Sequence, residues 1–162
     1  MKLIIATGSA GKNIAQPLEK DGFTVIYLDR KPNESAAPTE PTTLTESEHE
    51  HLIAAANTAT QFIIVFGGGG PTGTSLAIET AHLAHQLGIG TAAYVTHPLS
   101  FEGQSRARFA NTAAAEFRKT NTQVTEFALD DLINRVDPRL SPEEFFRNID
   151  EEIRNAIRKA AC

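Results

Sequence analysis

Residues 62–84 read FIIVFGGGGPTGTSLAIETAHLA, an apolar run that passes through a glycine-rich turn into a helical pattern. Five unbroken apolar residues are typical of a strand buried on both faces. Glycine lets backbone N–H groups approach an anion, and a helix N-terminus adds unpaired N–H groups and a positive dipole end. We expect Thr72, Thr74 and Ser75 to supply hydroxyl donors and to cap the helix. The segment therefore predicts a phosphate-binding turn rather than a flexible linker.

Strand-like and helix-like patterns alternate along the whole chain. This alternation predicts one α/β domain over residues 1–162, with a doubly wound, mostly parallel, Rossmann-like sheet in three layers. Ligands of such folds bind at the carboxyl ends of the strands, where the glycine turns 8–11 and 67–73 both fall. Residues 31–48, rich in Pro, Ser, Thr and Glu, are predicted to be an irregular or mobile loop. The predicted strands are residues 3–6, 23–28, 62–66, 91–96 and 123–129. Five helices are predicted between and after them: one around Ile14 and Leu18, one that begins near Thr45, one that follows the glycines and ends near Leu87, one over residues 104–118, and a last one that begins at Pro142.

Composition excludes several classes of protein. A net charge of -5 argues against a general nucleic-acid or anionic-membrane binder. No apolar run approaches the length of a transmembrane segment. The single cysteine, Cys162, rules out a disulfide within the chain and favours the cytoplasm. His82 and His85 are three residues apart without an evident third ligand, so we predict no metal site there.

The first glycine turn, residues 6–13, nearly matches two phosphate-binding motifs. It carries Gly11-Lys12 as in a P-loop, but it lacks the leading glycine and has Asn13 where a Ser or Thr binds magnesium. It also approaches a dinucleotide fingerprint, in which Asp29 would hold a ribose, but the G-x-G-x-x-G spacing is absent. NAD or another dinucleotide therefore remains an alternative ligand.

Several motifs together resemble the FtsZ/tubulin family. Residues 68–75, GGGPTGTS, resemble its tubulin signature, and residues 95–103, VTHPLSFEG, followed by Arg106, resemble the FtsZ segment after the fourth strand. Residues 8–13 look like the first phosphate loop of the family, and residues 130–132 lie where it has Asn-Asp after the fifth strand. Phe146, Asp150 and Glu151 match the aromatic and the Asn-Asp pair of its central helix. The matches keep their order and spacing over residues 1–160.

The resemblance implies a bound GTP or GDP, and Mg²⁺ can accompany GTP. Backbone N–H groups around 8–12 and 67–74 would hold the diphosphate, and Arg106 would pair with phosphate oxygens. Glu102 would accept a hydrogen bond from a ribose hydroxyl, and Asp130 would lie near the ribose. The implied nucleotide-binding residues are Gly8, Ser9, Ala10, Gly11, Lys12, Asn13, Gly67, Gly68, Gly69, Gly70, Thr72, Gly73, Thr74, Glu102, Arg106, Asp130, Phe146, Asp150 and Glu151.

The same resemblance assigns the recognition of the base to the last helix. Phe146 would stack on the guanine, and a carboxylate at Asp150 or Glu151 would accept the N1 and N2 hydrogens of the base. A carboxylate in this place selects guanine, because adenine offers no such pair of donors.

Departures from the family pattern limit what the resemblance implies. Pro71 and Lys12 replace glycines, and Lys12 is expected either to contact phosphate or to point to solvent. Asp130 replaces an asparagine, and the glycine loop that senses the γ-phosphate is missing from residues 31–48. The sequence stops in the central helix, without the second, GTPase-activating domain and its catalytic acidic loop.

We therefore expect a guanine-nucleotide-binding protein with no catalytic residue of its own and at most weak GTP hydrolysis. It would assemble with itself or regulate a fuller FtsZ/tubulin-like partner. Two other functions stay open: a dinucleotide-binding protein, and an interaction module of the same fold that has lost nucleotide binding. The sequence can also be a fragment of a longer protein.

Overall fold

The structure is a computed structural model, and it describes residues 1–30, 42–100 and 103–162. Helices and strands alternate as the sequence predicts. The predicted site residue Glu102 and most of the predicted loop 31–48 lie outside the described residues. The elements are β1 (Lys2–Thr7), α1 (Gly8–Lys20), β2 (Val25–Leu28), α2 (Glu46–Ala56), β3 (Gln61–Gly67), α3 (Pro71–Gln86), β4 (Gly90–His97), α4 (Gln104–Lys119), β5 (Gln123–Ala128), α5 (Leu129–Ile133) and α6 (Pro142–Ala161).

The five strands form one sheet in the order β2-β1-β3-β4-β5, and each neighbouring pair is parallel. The chain winds outward from β1 to β2 and then in the other direction from β3 to β5. The reversal lies between β1 and β3, which are paired from Lys2–Gln61 to Ala6–Val65. The predicted doubly wound sheet is thereby confirmed. In such sheets the carboxyl ends of the two strands at the reversal form a crevice.

Helices cover both faces of the sheet. Successive side chains of a strand point to opposite faces, so Leu3 and Ile5 belong to one apolar cluster and Ile4 and Ala6 to the other. Helices α2, α3 and α4 pack on the first face, and α1, α5 and α6 pack on the second. The predicted three-layer arrangement is confirmed, and α1 and α6 become neighbours on one face. Among the described residues, no helix is long and apolar enough to cross a membrane.

Several local boundaries differ from the prediction, among them the start of β2, which begins at Val25 rather than residue 23. The predicted turn at 8–11 is the first turn of α1, because Gly8, at φ +70°, redirects the backbone directly after β1. The last three residues of the predicted loop 31–48 belong to α2, because Thr45 and Glu48 form a capping box at its start. The short helix α5 replaces the predicted end of β5, and it buries Leu129 and Leu132 one turn apart.

Candidate functional site

A cleft of about 690 Å³ lies at the carboxyl edge of the sheet, where the winding reverses. Its floor is made by the first turn of α1 and by the loop between β3 and α3, and its walls come from α4, α5 and α6. Ten of the predicted site residues line it: Ser9, Ala10, Gly67, Gly69, Gly70, Thr72, Gly73, Arg106, Phe146 and Asp150.

The two glycine turns contact each other at the floor of the cleft. A Cβ atom on Gly8 would lie 2.9 Å from the Cα of Gly73, and one on Gly73 would lie 3.0 Å from the carbonyl oxygen of Thr7. The buried hydroxyl of Thr7 donates to the carbonyl oxygen of Gly73 at 2.7 Å. These glycines therefore allow the starts of α1 and α3 to approach each other closely.

Two further predicted residues, Gly11 and Gly68, pack against strands and do not line the cleft. A Cβ on Gly11 would lie 2.3 Å from the carbonyl oxygen of Val65, and one on Gly68 would lie 2.8 Å from that of Thr96. The N–H of Gly68 also donates to the Thr96 oxygen, at 2.7 Å. These two positions require glycine because no side chain fits between the neighbouring backbones. The sequence had instead suggested that their N–H groups approach an anion.

Several N–H groups that the sequence assigned to the diphosphate are bonded within the loop. The N–H of Gly70 donates to the Gly67 oxygen at 3.3 Å, and that of Thr74 donates to the Gly70 oxygen at 3.1 Å. The Thr74 hydroxyl donates to the Gly68 oxygen at 3.1 Å. Because Gly70 is the N-cap of α3 and makes no side-chain cap bond, the prediction that Thr72, Thr74 or Ser75 caps this helix is wrong.

The remaining donors at the floor come from two helix starts. The first N–H groups of a helix have no acceptor four residues earlier in the chain. Ser9 and Ala10 of α1 and Thr72 and Gly73 of α3 supply such groups, and all four residues line the cleft. Pro71 occupies the first position of α3 and has no N–H to offer. Two helix dipoles thus place positive ends at the same floor.

Three charged side chains line the cleft among the described residues: Arg106 of α4, Asp150 of α6 and Asp29 directly after β2. Arg106 lies against the floor, since a Cβ on Gly69 would be 3.3 Å from the Cβ of Arg106. Burial raises the pKa of the Asp150 carboxyl above its ordinary value, and the nearby Arg154 guanidinium opposes this rise. Phe146, one turn before Asp150, is 45% exposed beside it.

Other predicted residues lie away from the cleft. Glu151 follows Asp150 on α6 but points elsewhere, because successive helical residues are about 100° apart. Its carboxylate accepts hydrogen bonds from Arg154 and Arg158, each at 2.7 Å. Asp130 accepts from the Ser100 N–H at 3.0 Å and orients that loop. Of the two base-recognition candidates, only Asp150 lines the cleft.

Lys12 and Asn13 are exposed on α1 and also do not line the cleft. Both residues lie past the first turn of the helix, so their side chains leave the floor.

Sequence reasoning missed some residues of the site. Thr7 and Thr96 line the cleft, and their place at the ends of predicted strands was a usable signal. Of the apolar lining residues, Pro98 lies in the FtsZ-like segment 95–103, whereas Ile14, Leu129 and Ile149 carried no signal beyond core periodicity. Arg154, only 8% exposed, was also missed, because in the sequence it is one of many charged residues on the solvated face of the last predicted helix.

The comparison with known proteins identifies the fold. No protein-family model matches the sequence. Among solved structures, an empty FtsZ dimer from M. jannaschii is similar at 22% identity and a TM-score of 0.78, over 96% of this chain and 52% of that one. GDP-bound monomeric CetZ1 from Haloferax volcanii is similar at 20% identity and a TM-score of 0.68, over 96% and 58%. A TubZ protofilament from bacteriophage PhiKZ is similar at 17% identity and a TM-score of 0.59, over 96% and 56%.

These likenesses show that the fold is FtsZ/tubulin-like, as the motifs predicted. The chain spans about half the length of the solved structures that it matches.

Proposed function

We propose that this chain binds a guanine nucleotide, GDP or GTP, in the cleft at the carboxyl edge of β1 and β3. The observation that carries the proposal is the position of Asp150, a carboxylate that lines the same cleft as the starts of α1 and α3. The base would lie at α6 and the phosphates at the two helix starts. The FtsZ/tubulin-like fold supports this placement, since CetZ1 of the same fold is known with GDP.

The α6 wall offers the chemistry that distinguishes guanine from adenine. An ionised carboxylate accepts two hydrogen bonds, and guanine presents N1–H and the N2 amino group side by side. Phe146 lies on the same face of the helix four residues earlier, and its exposed ring can stack on the base. The N1 edge of adenine presents an acceptor instead, so Asp150 would repel it.

The floor offers the chemistry for phosphate. The first-turn N–H groups of α1 and α3 would donate to phosphate oxygens, with the positive helix ends directed at the same charge. Arg106 would add charge-assisted hydrogen bonds from the α4 wall. The hydroxyls of Ser9 and Thr72 lie on the same floor and would complete the set.

We propose binding with little hydrolysis. Among the described residues, no three His, Cys, Asp or Glu side chains lie close enough together to hold a metal ion. With GTP, Mg²⁺ would take most of its ligands from phosphate oxygens and water, as is usual for this ion at nucleotide sites. We further propose that the chain assembles with itself or with a longer protein of the same fold, as the FtsZ dimer and the TubZ protofilament suggest.

One observation favours a second candidate, a dinucleotide such as NAD. Asp29 follows β2 and lines the cleft, at the position where an acidic residue accepts hydrogen bonds from a ribose. One of its oxygens already accepts from the Arg30 N–H at 2.8 Å. Titration with NAD beside GDP separates the two candidates.

Base selectivity tests the proposal. Calorimetric titration of the wild-type protein should show GDP binding much more tightly than ADP or NAD. Asp150→Asn should weaken GDP by about a hundredfold, the cost of two charge-assisted hydrogen bonds. The same variant should gain affinity for xanthosine diphosphate, because an amide accepts from xanthine N1–H and donates to its O2.

Glu152→Gln is the matched control, since it removes one negative charge from an exposed position on the same helix. It should leave the order of affinities unchanged. Equal binding of GDP and ADP by the folded wild-type protein, or a retained preference for GDP in Asp150→Asn, would contradict the proposal.

A further inference from the structure

Helix α1 contains a proline, Pro17, in its last two turns. Proline has no N–H, so the carbonyl group of Asn13, four residues earlier, receives no helical hydrogen bond. The proline ring also crowds that carbonyl group. The side of α1 that faces α6 thus presents a main-chain acceptor that requires a donor from elsewhere.

Arg154 of α6 supplies donors to this part of α1. Its Nη2 donates to the Asn13 oxygen at 3.4 Å, and its Nε donates to the Ile14 oxygen at 2.9 Å. The side chain is 10% exposed, so a charged group is held almost wholly inside the protein. Its Nη1 also donates to Glu151 Oε2 at 2.7 Å, so two main-chain oxygens of α1 and one carboxylate of α6 fix the guanidinium together.

The same guanidinium faces the proposed base-recognition carboxylate. Arg154 Nη2 lies 4.0 Å from Asp150 Oδ2, one helical turn away. Asp150 lines the cleft, and so does Ile14, whose oxygen accepts from Arg154. Arg154 therefore joins Asp150 on α6 to α1, the helix whose first turn forms the phosphate end of the cleft.

We infer that Arg154 is a positioning residue that sets the preference of the cleft for guanine, an inference that rests on the proposed function. Arg154 lines no part of the cleft and would touch no nucleotide atom. It holds Asp150 at a fixed offset from the start of α1, and its charge keeps that carboxyl group ionised and oriented. A guanine nucleotide needs both the fixed position and the ionised state of Asp150, because its base must contact a carboxylate on α6 while its phosphates contact the start of α1.

Among the charged side chains described around Asp150, Arg154 is the cation placed to keep its carboxyl group ionised. Burial favours the neutral form of the carboxyl group, and the guanidinium opposes it. Of the other charged side chains lining the cleft, Asp29 is an anion and Arg106 stands on the α4 wall. The lining residues of α1 and α5 have uncharged side chains: Ser9, Ala10 and Ile14 on α1 and Leu129 on α5. Thr7, at the end of β1, is also uncharged.

Two substitutions at Arg154 separate charge from geometry. Arg154→Met keeps an unbranched apolar stem without charge, and Arg154→Lys keeps a charge that cannot reach both carbonyl groups. Arg154→Met should weaken GDP binding by about tenfold, the factor expected for a partly exposed ion pair held in place. It should leave the affinity for ADP unchanged. Arg154→Lys should recover part of the loss.

Arg158→Met is the matched control. Arg158 also joins α6 to the end of α1, through Asp21 at 2.7 Å, and also pairs with Glu151 at 2.7 Å. It donates to neither the Asn13 nor the Ile14 oxygen. Its loss should leave the ratio of GDP affinity to ADP affinity at the wild-type value, provided circular dichroism shows each variant folded at the temperature of titration.

The outcomes are distinct. A folded Arg154→Met protein with the wild-type affinity ratio would overturn this inference and leave the proposed function standing. A wild-type protein without preference for GDP would overturn both. A carbon-13 NMR titration of the Asp150 carboxyl group without nucleotide gives an independent reading: its pKa should be higher in Arg154→Met than in the wild type or Arg158→Met. An unchanged pKa would overturn the inference even if the variant binds nucleotides poorly.

Discussion

Replacing Gly11 by alanine tests whether the first glycine turn serves backbone packing. The new Cβ would lie 2.3 Å from the carbonyl oxygen of Val65, 3.2 Å from its carbonyl carbon and 3.4 Å from the carbonyl carbon of Ala6. All three atoms belong to the backbone of β1 or β3, so no side chain can rotate away. Helix α1 would have to shift by roughly 1 Å against the two central strands of the sheet, which a close-packed interior resists.

The cost of this shift can be bounded. Forcing an extra methyl group into a packed interior costs about 1–3 kcal/mol, and here the obstacle is rigid backbone, which favours the upper part of the range. Alanine regains up to about 1 kcal/mol through its better helix propensity. We expect a net loss of about 2 kcal/mol in the free energy of unfolding, or roughly 4–8 °C in Tm for a chain of this length.

Urea denaturation followed by circular dichroism measures this loss, and Gly70→Ala is the control. The nearest atom to a Cβ on Gly70 is 3.8 Å away, and its φ of -86° suits any residue. This second variant should lose no more than about 1 kcal/mol, because Gly70 is the N-cap of α3 and alanine is a poorer N-cap than glycine. The packing explanation is refuted if Gly11→Ala is as stable as the wild type, or if both variants lose the same stability.

Two further predictions concern Asp150 and Pro17. GDP affinity should fall as pH is lowered through the raised pKa of Asp150, because a protonated carboxyl group cannot accept both guanine hydrogens. The contribution of Asp150 to the free energy of unfolding has the opposite pH dependence, because its pKa is higher in the folded than in the unfolded protein. This contribution is fully present below the unfolded pKa and is lost as pH rises through the folded pKa. Calorimetry and urea titration across this acidic range measure both trends, and Asp150→Asn should flatten them; unchanged slopes in that variant would show that another group titrates. Pro17→Ala should raise the free energy of unfolding by about 1 kcal/mol, because Asn13 regains a helical donor, and a less stable variant in urea denaturation would contradict this account of Arg154.

The sequence was sufficient for the sheet and for the edge that holds the cleft. Residues 62–66 are unbroken and apolar because β3 is buried on both faces, and glycines follow both β1 and β3 because two helices start there in close contact. The start of α2 was predictable for a similar reason, since a capping box is a local signal that needs no tertiary contact.

What could not be predicted depends on contacts between distant segments. Gly11 looks like a phosphate-loop glycine in the sequence, and only the position of Val65 shows that its lack of a side chain lets α1 lie against β3. Arg154 looks like one charge among many on a solvated helix, and only its hydrogen bonds to the Ile14 and Asn13 oxygens of α1 explain its burial. Asp150 and Glu151 are adjacent in sequence, so the packing of α6 was needed to tell which carboxylate faces the cleft.

Helix α1 connects the two ends of the proposed site. Its first turn packs on α3 through Gly8 and Gly73 and on β3 through Gly11, which places its N–H groups at the floor of the cleft. Its middle turn contacts α6 through Arg154, the partner of Asp150 in the wall. A displacement of α1 would therefore move the phosphate end and the base end together, whereas the loss of Arg154 would release the base end alone. The glycines and the proline of this one helix thus bear on both ends of the proposed site.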